Sequence, residues 1–198
     1  MASHSQRTVI VTAAVDRFHA KGYHATGVND IAVAAGVPRG SFYNHFASKE
    51  ELAAIVLQQY GQTRRLEELS DPAVAPLERL RRYFEFLRDE QVEHHFTRGC
   101  LFGNFGSEMA DHSEVLRGGV EHCLGRWRAA LTEVLAEAVR SGAVRAGLDP
   151  EAAALFILCA WEGALVAARC GRSDEAFSTF FRVVFGSLLQ PGQDNAPL

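Results

Sequence analysis

Residues 26–52 read TGVNDIAVAAGVPRGSFYNHFASKEEL, and the folding of this stretch decides the rest. Thr26 is placed to N-cap a short helix, and Asp30 in its first turn suits the positive end of the helix dipole. That helix ends near Ala35. Gly36 and Val37 make a tight turn, where glycine takes a positive φ at no steric cost. Pro38 falls at the first position of a second short helix, running to about His45, where a missing N–H costs nothing. Two short helices joined by a glycine turn form a helix-turn-helix. Ile31 packs inward, Ala32 is small where the second helix crosses, and Val37 and Phe42 plug the angle between them. Ser48 with Glu51 then spells a capping box that opens the next helix.

Working outward, helices continue on both sides. Upstream, Ile10, Ala13, Ala14 and Phe18 line one face of a helix from about Ser5 to Lys21, and Gly22 ends it. Downstream, Leu52, Ile55, Val56, Tyr60, Thr63 and Leu66 predict one long helix, broken by SDPAVAP at 70–76. Leu77, Leu80, Phe84 and Leu87 mark another. RGCLFGNFG at 98–106 follows, and ADHSEV at 110–115 restarts the chain as a helix. Its stripe is Leu116, Val120, Cys123, Leu124, Trp127, Leu131, Val134, Leu135 and Ala138. Gly118 and Gly119 interrupt the first half, at roughly 1 kcal/mol each relative to alanine, which predicts a bend.

Asp149, Pro150 and Glu151 start a further helix, closed by Gly171; Ser173 opens a last one, which Pro191 follows. LFILCAWEGALVAA (155–168) and AFSTFFRVVFGSLL (176–189) are apolar round most of their circumference. Such helices are buried on every side, and in so small a chain a partner subunit is the simplest second cover. Strict period-two alternation is absent, so the fold class is all-α.

Composition agrees. The chain of 198 residues is 47% hydrophobic and 22% charged, as in an ordinary soluble protein. No apolar run reads as long enough to span a bilayer, and the first ten residues have no signal-peptide core, which predicts a cytoplasmic protein. Cys100, Cys123, Cys159 and Cys170 include no C-x-x-C pair, so they read as free thiols rather than a zinc ribbon. Residues 1–50 hold Arg7, Arg17, Lys21, Arg39 and Lys49 against Asp16, Asp30 and Glu50. A +2 head therefore sits on a −6 remainder in a chain of net charge −4. Nucleic-acid binding is a local property that bulk charge does not exclude.

The 26–52 stretch resembles the DNA-binding domain of the TetR family of bacterial transcriptional regulators. The resemblance is carried by Thr26, Val28, Ile31-Ala32, Ala35-Gly36-Val37, Gly40, Phe42-Tyr43, Phe46, Lys49 and Leu52. It implies a three-helix DNA-binding domain at 1–47 and a ligand-binding and dimerisation domain at 48–198, with nine to ten helices in all. It implies that the helix from Arg39 enters the major groove. Arg39 is the candidate base reader, since its fork matches guanine O6 and N7. Gly40 allows close approach, Ser41 and Asn44 reach base edges or phosphate, and Tyr43 and His45 resemble the family's phosphate contacts. Thr26 and Lys49 present hydroxyl, N–H and positive charge to the backbone. Phe42 and Phe46 are core. A head this small needs a homodimer, formed by the last two helices, to read a palindromic operator with half-sites about 34 Å apart.

The resemblance also implies a small-molecule or electrophile inducer that releases a repressor from its operator. Candidate pocket residues are Phe84, Phe102, Phe105, Met109, Trp127, Trp161, Cys100 and Glu162. For each aromatic, ordinary core is the competing reading. Glu162 lies within an apolar helix, where an unpaired carboxylate is costly; an arginine, a dimer seam and a ligand donor all remain open. His94 and His95 diverge on a helix, and no metal ligand, cofactor or catalytic residue is assigned.

RGCLFGNFG is no phosphate loop, because no strand precedes it. Leu101, Phe105 and Met109 form one helical face there, and Gly103 and Gly106 permit close contact. The segment resembles a branch of the family with Gly-Cys-Leu, some members of which sense electrophiles. Cys100 at a helix N-terminus beside Arg98 favours thiolate; an inert buried thiol is the alternative. Two other functions stay open: an enzyme using Cys100 as nucleophile, and a constitutive DNA-binding protein without ligand.

Overall fold

The protein is described by a computed structural model covering residues 2–191, with side chains from residue 6 onward. Among the described residues every regular element is helical. The chain divides into two compact units, Met1–Arg64 with Arg98–Leu124, and Arg65–Thr97 with Gly125–Leu198.

In the first unit, α1 (Ala2–Lys21) stops where Gly22 takes φ +80°, its N–H donating to Phe18 O at 2.9 Å. Then come α2 (Val28–Ala34), α3 (Arg39–Tyr43) and α4 (Lys49–Gln62). Ile10, Ala14, Phe18, Ile31, Phe42, Phe46, Leu52 and Val56 are all buried, so α1 supplies one wall against which the other three close. The turn works as the sequence predicts: Gly36 has φ +66°. The capping box is real as well. Ser48 Oγ accepts from Glu51 N at 3.0 Å, and Glu51 Oε2 reaches back to Ala47 N at 2.6 Å.

Four local expectations fail here, each for a visible reason. Gly27, not Thr26, is the N-cap of α2; Asp30 Oδ2 accepts the Gly27 N–H at 2.9 Å. Pro38 is the N-cap of α3 rather than its first residue, with ψ 145°. α3 stops at Tyr43, capped by Asn44, short of His45. α4 ends at Gln62, before Leu66. Thr63 Oγ1 bonds back to Tyr60 O at 2.8 Å, Arg64 turns over the Tyr60 ring at 4.2 Å, and Arg65 enters the left-handed region at φ 53°. Leu66 belongs to a separate 3-10 turn, Leu66–Ser70.

α6 (Leu101–Met109) completes this unit, with the first part of α7 (Glu114–Arg140). Ser113 Oγ caps α7 by accepting from Leu116 N at 3.1 Å. α7 runs unbroken through Gly118-Gly119. A Cβ on Gly119 would lie 3.4 Å from Leu57 Cδ1, so the glycine makes room for α4.

The second unit holds α5 (Pro76–Glu93), the later turns of α7, α8 (Pro150–Gly171) and α9 (Glu175–Val183), which continues as a π turn, Val184–Leu188. Its core is aromatic: Phe84 packs on Trp161 at 5.0 Å and on Phe180 at 4.9 Å, and Trp161 stacks on Phe177 at 4.9 Å. One cation is built into it. Arg79, buried on α5, donates to Leu69 O at 2.9 Å and pairs with Glu137 of α7 at 2.5 Å. Asp149 caps α8 as predicted, accepting from Glu151 N and Ala152 N at 3.0 and 3.2 Å. Gly171 stays inside α8, and Arg172, at φ 50°, ends it.

α8 overturns one composition reading. It is 22 residues long, and an 18-residue window within it has a mean hydropathy of 1.6, long and apolar enough to span a bilayer by length and composition. One face of it is packed: Ala153, Ala154, Ile157, Leu158, Trp161, Ala164, Leu165 and Ala168 are buried at helical spacing.

Candidate nucleic-acid interface

α3 is only five residues long, and its two faces divide sharply. Phe42 is fully buried and meets Phe46 at 5.5 Å. Arg39, Gly40, Tyr43 and Asn44 are exposed, Tyr43 by 52%, while Ser41 and His45 are half-buried. A Cβ on Gly40 would meet nothing within 4 Å, so the fold itself does not demand glycine there. The exposed set combines a guanidinium fork, a phenol, an amide and a stretch of bare backbone. These are donors and acceptors suited to phosphate and base edges. Arg7, above the Phe46 ring at 5.3 Å, adds a cation on the same unit.

Thr26 and Lys49 do not join this surface. Thr26 is fully buried, and its hydroxyl donates to Gly22 O at 2.7 Å and Arg17 O at 3.2 Å. Lys49 Nζ donates to Tyr23 O at 3.0 Å and Thr26 O at 3.1 Å, and sits 4.0 Å from the centre of the Tyr23 ring. Burial pushes the Lys49 ammonium below its usual pKa, with the charge of Glu108 acting the other way. Burial, and then the charge of Glu50, pushes the Tyr23 phenol up. Both residues thus brace the turn between α1 and α2. Sequence could not distinguish a bracing lysine from a phosphate-binding one, because its acceptors are main-chain carbonyls 23 and 26 residues away.

The eight pocket candidates fall into two groups. Cys100, Phe102, Phe105 and Met109 lie in the first unit and Phe84, Trp127, Trp161 and Glu162 in the second. Phe105 packs on Phe18 at 5.3 Å and Tyr23 at 5.8 Å, in the core beside the head. Phe102 meets Tyr60 at 4.9 Å. Trp127 is buried beside Tyr83 at 6.1 Å, and its Nε1 has no hydrogen-bond partner. Glu162 is half-buried rather than enclosed. Cys100 is the buried N-cap of α6, and the guanidinium of nearby Arg98 pairs with Asp16 at 3.0 Å. Among the described residues no group of three or more His, Cys, Asp or Glu is placed to hold a metal ion.

Residues 10–56 match the family model described as bacterial regulatory proteins, tetR family, and residues 76–184 match that of the tetracyclin repressor-like C-terminal domain. The chain belongs to the TetR family. It is a DNA-binding transcriptional regulator. Among its relatives, the HTH-type transcriptional repressor DhaR of Mycobacterium sp. (strain GP1) is 34% identical over 98% of both chains. The transcriptional regulator AcuR of Cereibacter sphaeroides is 32% identical over 87% of this chain and 80% of its own. The crystal structure of a regulatory protein TetR from Rhodobacter sphaeroides superposes with a TM-score of 0.84 at 31% identity, covering 89% of this chain and 95% of that one. Within the TetR family, then, α2 and α3 are the helix-turn-helix.

Proposed function

We propose that the protein is a repressor that binds a palindromic operator as a homodimer in the cytoplasm and is released by a small molecule. The observation that carries the DNA half is the exposed face of α3, where Arg39, Gly40, Tyr43 and Asn44 stand clear of a core closed by Phe42. In this reading Arg39 reads a base, Tyr43 and His45 hold phosphates, and Ser41 and Asn44 support either role. Residues 1–47 act as the DNA-reading domain and 48–198 as the effector and dimerisation domain.

The dimer half rests on α8 and α9. Between them lies a groove of about 540 Å³ lined by Phe156, Gly163, Ala167, Thr179 and Val183 among others. Phe156 and Val183 on its lining are exposed, as are Leu155 and Val166 elsewhere on α8, an apolar surface that a second copy of α8 and α9 would cover. The effector half is supported by the buried Trp127 Nε1, an unused donor in an aromatic core, which suits a ligand carrying an acceptor.

The decisive measurement selects duplexes from a random pool with wild-type protein, then compares an Arg39→Ala/Tyr43→Ala double variant on the winner. We expect the variant to lose at least tenfold in affinity, from about 1–3 kcal/mol per good base contact, with its melting temperature unchanged. Failure of wild type to enrich any duplex would overturn the reading.

A further inference from the structure

α6 is tied to the head at three points, all within the first unit. Before α6, Arg98 Nη2 donates to Asp16 Oδ1 of α1 at 3.0 Å. After it, Ser113 Oγ donates to Glu50 Oε1, in the first turn of α4, at 2.5 Å. On α6 itself, Glu108 Oε2 accepts the His24 main-chain N–H at 3.0 Å and lies 3.4 Å from His24 Nδ1. The third tie lands on the turn that joins α1 to α2.

That turn is stiff. Thr26 Oγ1 bonds back to Gly22 O and Arg17 O, Lys49 Nζ holds the carbonyls of Tyr23 and Thr26, and Asp30 caps Gly27. A displacement at His24 therefore passes to the start of α2, and through the Gly36 turn to α3. Glu108 is fitted closely to its seat. A Cβ on Gly22 would lie 2.1 Å from Glu108 Oε1 and 2.9 Å from its Cδ. Gly22 is required for its φ of +80° and again for this carboxylate. The charged and titratable groups around it are Lys49, whose pKa its charge raises, His24, and His112, whose ring is 5.6 Å from that of His24.

We propose that Glu108 is a positioning residue for DNA recognition: its carboxylate, seated on His24 N–H and against Gly22, sets the place of the helix-turn-helix. It touches no DNA. It acts through a main-chain hydrogen bond, so the acceptor oxygen matters more than the charge. A group that sets geometry governs specific binding, which needs α3 in register with base edges. Non-specific binding follows charge and tolerates misplacement.

The test uses the full chain and two duplexes, one enriched by the wild-type protein from a random pool and one scrambled, read by fluorescence anisotropy. Glu108→Ala should weaken the enriched duplex about tenfold, the loss expected for one charge-assisted hydrogen bond, and leave the scrambled duplex within twofold. Glu108→Gln, which keeps an oxygen acceptor, should stay within about threefold of wild type on both. If Glu108→Ala does not fold, Glu108→Asp carries the same test, since it withdraws the acceptor by one methylene; it too should lose the enriched duplex selectively. Undiminished binding to the enriched duplex, equal losses on both duplexes, or Glu108→Gln failing as fully as Glu108→Ala would each overturn the proposal. A wild-type protein that enriches nothing would instead strike the DNA reading itself.

Discussion

The helix-turn-helix and the α8–α9 pair dispose of their apolar residues in opposite ways. In the head, Ile31, Phe42 and Phe46 turn inward onto Ile10, Ala14 and Phe18, and what remains outside on α3 is polar or bare backbone. On α8, one face buries Trp161 and Leu165 while the other leaves Phe156 at 53% and Val166 at 64% exposed. The head is finished without a partner and offers hydrogen-bonding groups. The α8–α9 pair is unfinished and offers hydrocarbon. The difference teaches that the two surfaces await different occupants: a polyanion for the first, and a like apolar surface for the second.

The comparison breaks most violently if α8 is made polar. Phe156→Glu with Val166→Glu places two charges on the exposed face, where the monomer has no use for the lost hydrocarbon. Folding of the chain should survive, because both side chains are already half in water. The homodimer should not survive, since an interface buries such charges only at a cost of several kcal/mol. Sedimentation should give a monomer, and affinity for a palindromic duplex should fall by a hundredfold or more as the second half-site is lost, a drop of about 3 kcal/mol. A double variant that remains dimeric would show that the exposed apolar face has another purpose.

Much of this architecture is legible in the amino-acid sequence. The glycine turn, the capping box at Ser48 and the cap at Asp149 are local signals, read within four residues of chain, and each is present. So is the core face of α7, where Trp127, Leu131, Val134, Leu135 and Ala138 are buried as their spacing demands. The failures are contacts between distant residues. Lys49 and Thr26 look like phosphate ligands in sequence and are braces in space. The contact of Phe105 with Phe18, 87 positions back, is likewise invisible in sequence. α4 ends at Gln62, where Gly61 lies inside the last turn and no glycine or proline directly follows; Arg64 folds over Tyr60 just past the end. Glu108 carries no sequence signal at all, since its partner is 84 residues away and is a main-chain N–H.

A smaller effect tests how closely the head is fitted. Gly22→Ala imposes a side chain at φ +80° and drives its Cβ into Glu108. The left-handed conformation costs about 1–2 kcal/mol for alanine. The carboxylate must then move as well, so chemical denaturation should register a total loss near 2–3 kcal/mol, a typical magnitude for a strained backbone site. Combining Gly22→Ala with Glu108→Ala should recover the steric part, leaving the backbone part and the lost hydrogen bond from His24 N–H. A double variant whose loss equals the sum of the two single losses would mean that the carboxylate yields freely and is not seated as described.

The smallest effect sharpens the comparison furthest. At Gly40 on α3 and at Gly163 on α8 an added Cβ would meet nothing within 4 Å. Both lie inside helices, where glycine is less favourable than alanine by about 1 kcal/mol. Judged by this chain alone, Gly40→Ala and Gly163→Ala should each stabilise slightly. If the empty space at Gly40 belongs to DNA, Gly40→Ala should hold or raise the melting temperature while weakening the enriched duplex severalfold. If the space at Gly163, on the wall of the groove, belongs to a second subunit, Gly163→Ala should raise the stability of dilute monomer and weaken dimerisation. Stability and binding would then move in opposite directions at two sites that share no neighbour. Either glycine whose alanine variant improves both quantities has no partner approaching its backbone, and at that site the assignment of the occupant falls.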